Sequence, residues 1–172
     1  MNIFVLEREP ERCAQAACDR HVVKMPLETA QMLCTAHRYI GGSTELLDRL
    51  YKPTHPNHPC TKWVRASSGN YAWAFQLFLA QLDEYAHRYG RVHGCARLIP
   101  DLAEAPASIS RGFMTDWPQA MPDEYRCGDA VDAYRSYYLG AKASFAVWER
   151  NRPAPAWWVS SVSERVEQGL RR

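Results

Sequence analysis

A histidine, a lysine and a glutamate recur at helical spacing near the start of this 172-residue chain. They belong to a polar seam, which we define as six polar positions at steps of three and four: His21, Lys24, Glu28, Gln31, Thr35 and Arg38. At about 100° per residue, these positions share one arc of an otherwise apolar helix over 21–40. A base, an amine and a carboxylate on one arc could perform acid–base or nucleophilic chemistry. The alternative is a core helix with a thin solvated edge.

The first three seam residues are the candidate catalytic groups. A partly buried Lys24 could act as a nucleophilic amine, and Glu28 beside it could move protons or stabilise a developing cation. Pro26 lies between them and leaves two structures open. Either the helix kinks at Pro26, or one helix ends near Lys24 and another begins with Pro26 at its first position.

A second cluster of possible ligands lies in a loop predicted over 51–59. His55, His58 and Cys60 fall within six residues and have zinc-compatible side chains. A fourth ligand would have to come from His87, His93 or Cys95. We favour a rigid, proline-rich loop whose histidines bind backbone or phosphate, and we therefore expect no metal and no cofactor. The metal-assisted alternative is a nucleotide or nucleic-acid hydrolase.

Aromatic and basic residues alternate in three further segments, 62–65, 134–138 and 148–158. Aromatic faces beside cations suit unstacked bases, although core packing explains most of these residues equally well. With the polar seam and the loop, they provide the predicted substrate-binding residues Gln31, Arg38, His55, His58, Lys62, Trp63, Arg65, Arg135 and Tyr138.

The composition is that of an ordinary globular protein, with 21 basic and 19 acidic residues and a net charge of +2. Strong non-specific nucleic-acid binding usually requires a clear basic excess, which is absent here. The composition still allows a local basic face. The six cysteines form no C-x-x-C pair, and the first residues lack a signal-peptide pattern. No apolar run reaches the roughly 18 residues of a membrane span. We therefore expect a cytoplasmic protein with reduced cysteines and no membrane partner.

The remaining pattern predicts a mainly α fold in a single domain over 1–172. We expect a short extended segment over 1–6 and a long irregular loop over about 100–128, of the kind that often forms a lid or binding segment. Helices are predicted over 11–20, 21–40, 45–50, 60–67, 71–89, within 93–100, 129–150 and 161–171. An extended aromatic strap is predicted to precede the last helix.

Two short regions resemble the small, all-α pyrimidine-dimer DNA glycosylases of bacteriophages. Asp19-Arg20-His21 followed by Glu28 is similar to that family's Asp-x-His with a catalytic glutamate seven residues later. The segment 134–142, Tyr-Arg-Ser-Tyr-Tyr-Leu-Gly-Ala-Lys, looks like its C-terminal stretch with one extra residue. From its Met-Asn-Ile-Phe-Val-Leu opening onward, the chain also resembles a group of small phage-encoded proteins, which implies no particular activity but would place it in an infected bacterial host.

The resemblance implies a glycosylase for damaged or modified bases, with or without lyase activity, acting on double-stranded DNA with an extruded base. Glu28 would be the acid/base and charge-stabilising group, His21 its neighbour, and Lys142 part of the substrate-binding stretch. The family's nucleophile is the α-amine exposed when the initiator Met is removed before a small residue. Residue 2 is Asn here, and we infer that Lys24 supplies the amine instead. The non-enzymatic alternative is a phage accessory protein whose polar seam is only a solvated edge.

Overall fold

The chain begins with a buried extended segment that leads directly into helices. The computed structural model describes residues 1–170, with side chains through residue 163. Met1–Leu6 forms no strand within these residues, and the apolar side chains of Ile3, Val5 and Leu6 enter the core. Phe4, among them, has a φ of 41°, a backbone conformation that is uncommon for a bulky residue.

The described residues are helical in most of the remaining chain, which confirms the predicted mainly α class. The α-helices are α1 (Pro10–Ala16), α2 (Asp19–Ile40), α3 (Thr44–Arg49), α4 (Pro59–Val64), α5 (Ser68–Tyr89), α6 (Ile99–Leu102), α7 (Ala130–Tyr137) and α8 (Ala156–Leu170). Short 3₁₀ turns cover Gly94–Leu98 and Asp123–Tyr125, and a π-helical turn covers Tyr138–Lys142. Within the described residues, no helix combines the length and apolar character needed to cross a membrane.

Helix α2 continues through Pro26 without a break. Of the two structures left open by the sequence, the split helix is therefore wrong. Proline removes one backbone hydrogen bond from a helix interior, which packing must offset. Pro26 is buried between the buried residues Met25 and Glu28. Because the helix is continuous, the residues of the polar seam keep their common face.

Helix α5 packs against both α1 and α2 and provides the centre of the core. Its apolar face contains Ala74, Leu77 and Phe78, all fully buried. Helices α2 and α5 run antiparallel, because His37 near the end of α2 contacts Tyr71 at 2.8 Å, whereas Asp19 at its start pairs with Arg88 at 2.8 Å. The buried Arg88 also pairs with Glu84 and locks the two helices together.

The predicted helix over 129–150 is wrong beyond its first part. Helix α7 ends at Tyr137, a π-helical turn follows to Lys142, and the chain is then irregular until α8. Gly140 lies in the π-helical turn, where a Cβ would fall 2.4 Å from the Tyr125 ring. Glycine weakens a helix interior, and here its missing side chain lets the loop over 123–125 pack closely.

The irregular residues after the π-helical turn fasten the C-terminal part of the chain to the start of α2. The Asp19 backbone N–H donates to the Val147 carbonyl at 2.9 Å, and the Glu149 N–H donates to the Asp19 carboxylate at 2.8 Å. The predicted aromatic strap is partly wrong, because Trp157 and Trp158 already belong to α8. That helix starts five residues before the predicted Ser161, and Arg171, its predicted end, lies outside the described residues. The single domain over 1–172 stays a prediction.

Candidate active site

The carboxylate of Glu28 is held by hydrogen bonds from two directions. Its Oε1 accepts from Lys24 Nζ at 2.9 Å, one helical turn away. Its Oε2 accepts from the Asn2 backbone N–H at 2.8 Å, and the ammonium group of Met1 lies 3.6 Å from the same oxygen. Two amines therefore share one buried carboxylate.

This arrangement keeps Glu28 ionised. Burial favours the protonated acid, but the hydrogen bond from Lys24, the charge of the chain-start ammonium and the Asn2 N–H outweigh it and lower the pKa of Glu28 below its ordinary value. The Lys24 side chain is 63% exposed. The burial that we expected to activate this amine is therefore largely missing.

His21 lies one turn before Lys24 and is almost fully buried. Its Nδ1 shares a hydrogen bond with the Tyr138 hydroxyl, and its ring stacks on Phe4 with centroids 4.5 Å apart. Burial and the nearby cations Lys142 and Lys24 lower the pKa of His21 to about 4. His21 is therefore neutral at pH 7, so it can exchange a hydrogen bond but does not add charge.

A cavity of about 420 Å³ brings these groups together. Its size falls within the roughly 300–1,000 Å³ that small-molecule sites occupy. Its lining consists of Met1, Asn2, Phe4, Arg20, His21, Lys24, Glu28, Tyr137, Lys142 and Phe145. Cations therefore outnumber the single carboxylate, although the whole chain is nearly neutral. The local basic face that composition left open lies at this cavity.

A family model described as pyrimidine dimer DNA glycosylase matches residues 1–96 of the chain. The chain belongs to this family. No curated protein and no solved structure matches it. Membership of this family indicates a DNA-glycosylase type of function, with DNA as the class of substrate. The match includes His21, Lys24 and Glu28, whereas the resembling stretch over 134–142 lies outside it.

Lys142 reaches this cavity from the C-terminal part of the chain, whereas Tyr138 lies behind its wall. Lys142 lines the cavity, and its Nζ donates to the Tyr137 hydroxyl at 3.1 Å. Tyr138 is fully buried and shares a hydrogen bond with the cavity residue His21. Arg135 lies apart from them, because it pairs with Glu7, donates to the Leu6 carbonyl and covers the Trp157 ring.

The other predicted substrate-binding residues do not line the cavity. Arg38 donates to three backbone carbonyls, and the Gln31 carbonyl accepts from Thr35. On α4, Trp63 is buried edge-on against Trp73, and Lys62 is exposed. Arg65, directly after α4, donates to the Pro56 carbonyl and stacks on Tyr39. Their roles in binding DNA stay predictions.

The loop histidines have local partners. His58 caps α4 by accepting from the Cys60 N–H at 3.2 Å, and His55 Nδ1 shares a hydrogen bond with the Thr54 hydroxyl at 3.0 Å. Cys60 is buried beside Asn2 and Tyr134, and its burial raises the pKa of the thiol to about 11. Within the part of the chain that the structure describes, no three His, Cys, Asp or Glu side chains are placed to hold a metal. The geometry gives no support to the metal-assisted alternative.

Sequence reasoning missed several residues of the cavity wall. Phe4, Arg20, Tyr137 and Phe145 line it but lie on four different segments of the chain. The proximity of the chain start to Glu28 had one signal, namely the α-amine nucleophile of the family that the sequence resembles. Tyr137 had another, since it lies in the resembling stretch over 134–142, whereas Phe4 and Phe145 had none because only the tertiary fold brings them to the cavity.

Proposed function

We propose that this protein is a DNA glycosylase for a damaged or modified base. In this proposal an amine of the protein attacks the nucleotide, and Glu28 accepts a proton from that amine. The observation that carries the proposal is the convergence of two amines on one buried, ionised carboxylate in a cation-rich cavity. A pyrimidine dimer, named in the family description, is the first substrate to test. The reaction would take place in the cytoplasm of an infected bacterium, an expectation that rests on the resemblance to phage-encoded proteins.

The reaction would replace a C–N bond to the base with a C–N bond to the protein. The attacking ammonium group first gives up a proton to solvent. The neutral amine then attacks C1′ of the extruded nucleotide, and the glycosidic bond breaks with its electron pair leaving on the base, which takes up a proton from solvent. The nitrogen then loses a proton to Glu28, and the sugar ring opens as O4′ leaves C1′ and takes this proton from Glu28. The product is a protonated imine, which supports strand cleavage if a C2′ proton is then removed.

Lys24 is the first candidate for the amine, because its Nζ is closest to the carboxylate and lies at the exposed rim where a nucleotide would enter. The α-amine at the chain start is the second. The Asn2 nitrogen lies 2.8 Å from Glu28, so an α-amine on residue 1 or residue 2 would meet the same carboxylate. Arg20 and Lys142 would bind the flanking phosphates as cations of the cavity wall.

Borohydride trapping tests the chemistry and identifies the amine. The protein is mixed with duplex DNA containing a pyrimidine dimer, or with an abasic duplex, and reduced, and the cross-linked peptide is mapped by mass spectrometry. We expect an adduct on Lys24 that Lys24→Arg abolishes, because arginine keeps the charge but is not an amine nucleophile, whereas Lys52→Arg at an exposed position leaves trapping unchanged.

Three other outcomes are informative. An adduct on the first peptide assigns the reaction to the α-amine and removes Lys24 as nucleophile. Cleavage of the glycosidic bond in the dimer duplex without an adduct in the wild-type protein supports activation of water by Glu28 and rejects the amine mechanism. If the dimer duplex is not cleaved and neither duplex gives an adduct, the proposed function is contradicted for these substrates.

A second cavity provides a contrast. It has a volume of about 660 Å³, larger than that of the candidate active site, and lies between α1 and α5. Glu9, Glu11, Asp83 and Glu84 line it, with His87 and Arg152. Its carboxylates would repel DNA phosphates. Size alone would therefore select the wrong cavity for a DNA-acting enzyme.

A further inference from the structure

Phe113 is 96% exposed, the highest value among the large apolar side chains that the structure describes. It belongs to a segment that we name the aromatic tip, residues 111–114, with the sequence Arg-Gly-Phe-Met. Met114 beside it is 41% exposed, and Arg111 is exposed as well. A phenylalanine in water is unfavourable, so a fold that holds one outward suggests a surface to be covered.

The backbone of the aromatic tip is fixed to the start of α5. The Gly69 N–H donates to the Gly112 carbonyl at 3.0 Å, and the Ser67 hydroxyl donates to the Phe113 carbonyl at 3.0 Å. After the tip, the Thr115 N–H donates to the Asn70 side chain at 2.8 Å. These bonds hold Phe113 outward on an ordered backbone.

Gly69 makes this attachment possible. A Cβ on Gly69 would lie 2.4 Å from the Met114 nitrogen and 2.6 Å from the Phe113 carbonyl carbon. Because both are backbone atoms, no side-chain movement relieves the clash. The close approach of the tip to α5 therefore requires glycine at this position.

The same segment runs on to the candidate active site. The Ala120 carbonyl accepts from Asn2 Nδ2 at 2.8 Å, and the Asn2 N–H donates to Glu28. Phe113 precedes Ala120 by seven residues, which span at most about 25 Å when fully extended. This upper limit on the distance between Phe113 and Ala120 corresponds to about seven base pairs at 3.4 Å per base pair.

We propose that the aromatic tip inserts into duplex DNA as an apolar wedge beside the extruded nucleotide. Phe and Met are among the side chains that enter base steps and unstack them, and base extrusion requires such unstacking. Arg111 in the tip and the exposed Lys62 would bind the backbone on either side. Lys62 is on α4, from which the neighbouring Trp63 donates to the Thr115 carbonyl at 3.3 Å. This inference rests on the proposed action on DNA.

Fluorescence of 2-aminopurine in a duplex with a tetrahydrofuran abasic analogue tests the wedge. The probe base is placed at each of the seven positions on both sides of the analogue. We expect the wild-type protein to raise the fluorescence at one step, and Phe113→Ala to abolish that rise and weaken the Kd about 10-fold. Because Phe113 is exposed, Phe113→Ala should melt at the wild-type temperature.

Two further variants distinguish an effect of the aromatic tip from the loss of any exposed apolar side chain. Val92→Ala removes another apolar side chain, 81% exposed and beyond the far end of α5, and should change neither fluorescence nor Kd. Gly69→Ala keeps Phe113 but displaces the tip, so it should also abolish the rise in fluorescence. Retention of the rise in both Phe113→Ala and Gly69→Ala would overturn the proposal.

The wedge and the glycosylase function can fail separately. If the wild-type protein releases a damaged base and Phe113→Ala binds and reacts equally well, the wedge is rejected and the function stands. If no base is released but the rise in fluorescence depends on Phe113, the wedge stands without the function. If Phe113→Ala changes only the molar mass measured by light scattering, the tip is an interface between copies of this chain, and the wedge is rejected.

Discussion

The two halves of helix α2 have the same polar periodicity but use it differently. In the first half, His21, Lys24 and Glu28 line the cavity together with the chain start. In the second half, Thr35 and Arg38 bind the backbone of the loop that follows the helix. The comparison separates groups that are available to a substrate from groups that maintain the fold.

In the second half, the side chains of Thr35 and Arg38 form internal hydrogen bonds. Arg38 donates to the carbonyls of Leu47, Leu50 and Tyr51, the last at 2.6 Å. The Thr35 hydroxyl donates to the Gln31 carbonyl at 2.7 Å and accepts from the Thr54 N–H at 3.3 Å. This half therefore fixes the region from α3 to the proline-rich loop.

Helical spacing alone cannot distinguish the two halves. It places polar groups on one face, but the neighbouring segment decides their partners. The N-terminal segment leaves a cavity over the first half, whereas α3 and the residues that follow it bring backbone carbonyls to Arg38. The structural interpretation of the polar seam therefore fits the second half, whereas catalysis by the first half stays a prediction.

Glu28→Gln should have the largest effect and tests the first half. Glutamine can still accept hydrogen bonds, but it cannot take a proton or balance the two amines. We expect base release or lyase activity on the substrate found by trapping to fall at least about 100-fold, with similar secondary structure by circular dichroism. Glu124→Gln at an exposed loop position is the matched control. Wild-type activity in Glu28→Gln would show that the first half of α2 does not contribute to activity through the Glu28 carboxylate.

Arg38→Met should have the next largest effect, on stability instead of activity. The variant keeps much of the apolar stem but leaves three carbonyls without their charged donor. We expect the free energy of unfolding, measured with urea, to fall by about 3 kcal/mol, with activity retained well below the melting temperature. Arg91→Met, at an exposed position, should change it by less than about 0.5 kcal/mol. A loss of DNA binding in folded Arg38→Met would instead restore its predicted binding role.

The sequence predicted the helices best where strong local signals agree. The ends of α2 and α5 follow from Gly41 and Gly90, and the polar seam correctly predicted that Lys24 and Glu28 face one cleft. Local rules could not decide whether the helix continues through Pro26 or splits there, because the burial of one helix face decides it.

The prediction failed where distant contacts decide the structure. The periodicity of 129–150 favours a long helix, but Gly140 accommodates Tyr125, and residues 147–149 bond to the start of α2 instead. The cavity wall has the same origin, because Phe4 and Tyr137 stack across segments more than a hundred residues apart. Neither contact has a local sequence signal.

His21→Gln should have the smallest effect, and it appears only in acid. The pKa of His21 is about 4 in the folded protein and about 6.5 when unfolded, so the unfolded chain binds its proton first as the pH falls. The folded state therefore loses stability between pH 6.5 and 4, and this contribution is constant above that range. Glutamine does not titrate and can still bond to the Tyr138 hydroxyl.

Between pH 7 and 4.5, the free energy of unfolding should therefore fall by about 2 kcal/mol more in the wild-type protein than in His21→Gln. His37 and His58 also have pKa values lowered by burial. Both histidines are present in the wild-type protein and in His21→Gln, so the difference between the two pH profiles isolates the contribution of His21. Parallel profiles would mean that folding leaves the pKa of His21 unchanged, and a steeper fall in His21→Gln would mean that the folded protein holds this proton more tightly than the unfolded chain. In either case His21 would join Lys24 among the cations of the cavity as the pH falls through about 6.5, and the first half of α2 would then present a stronger positive field to DNA.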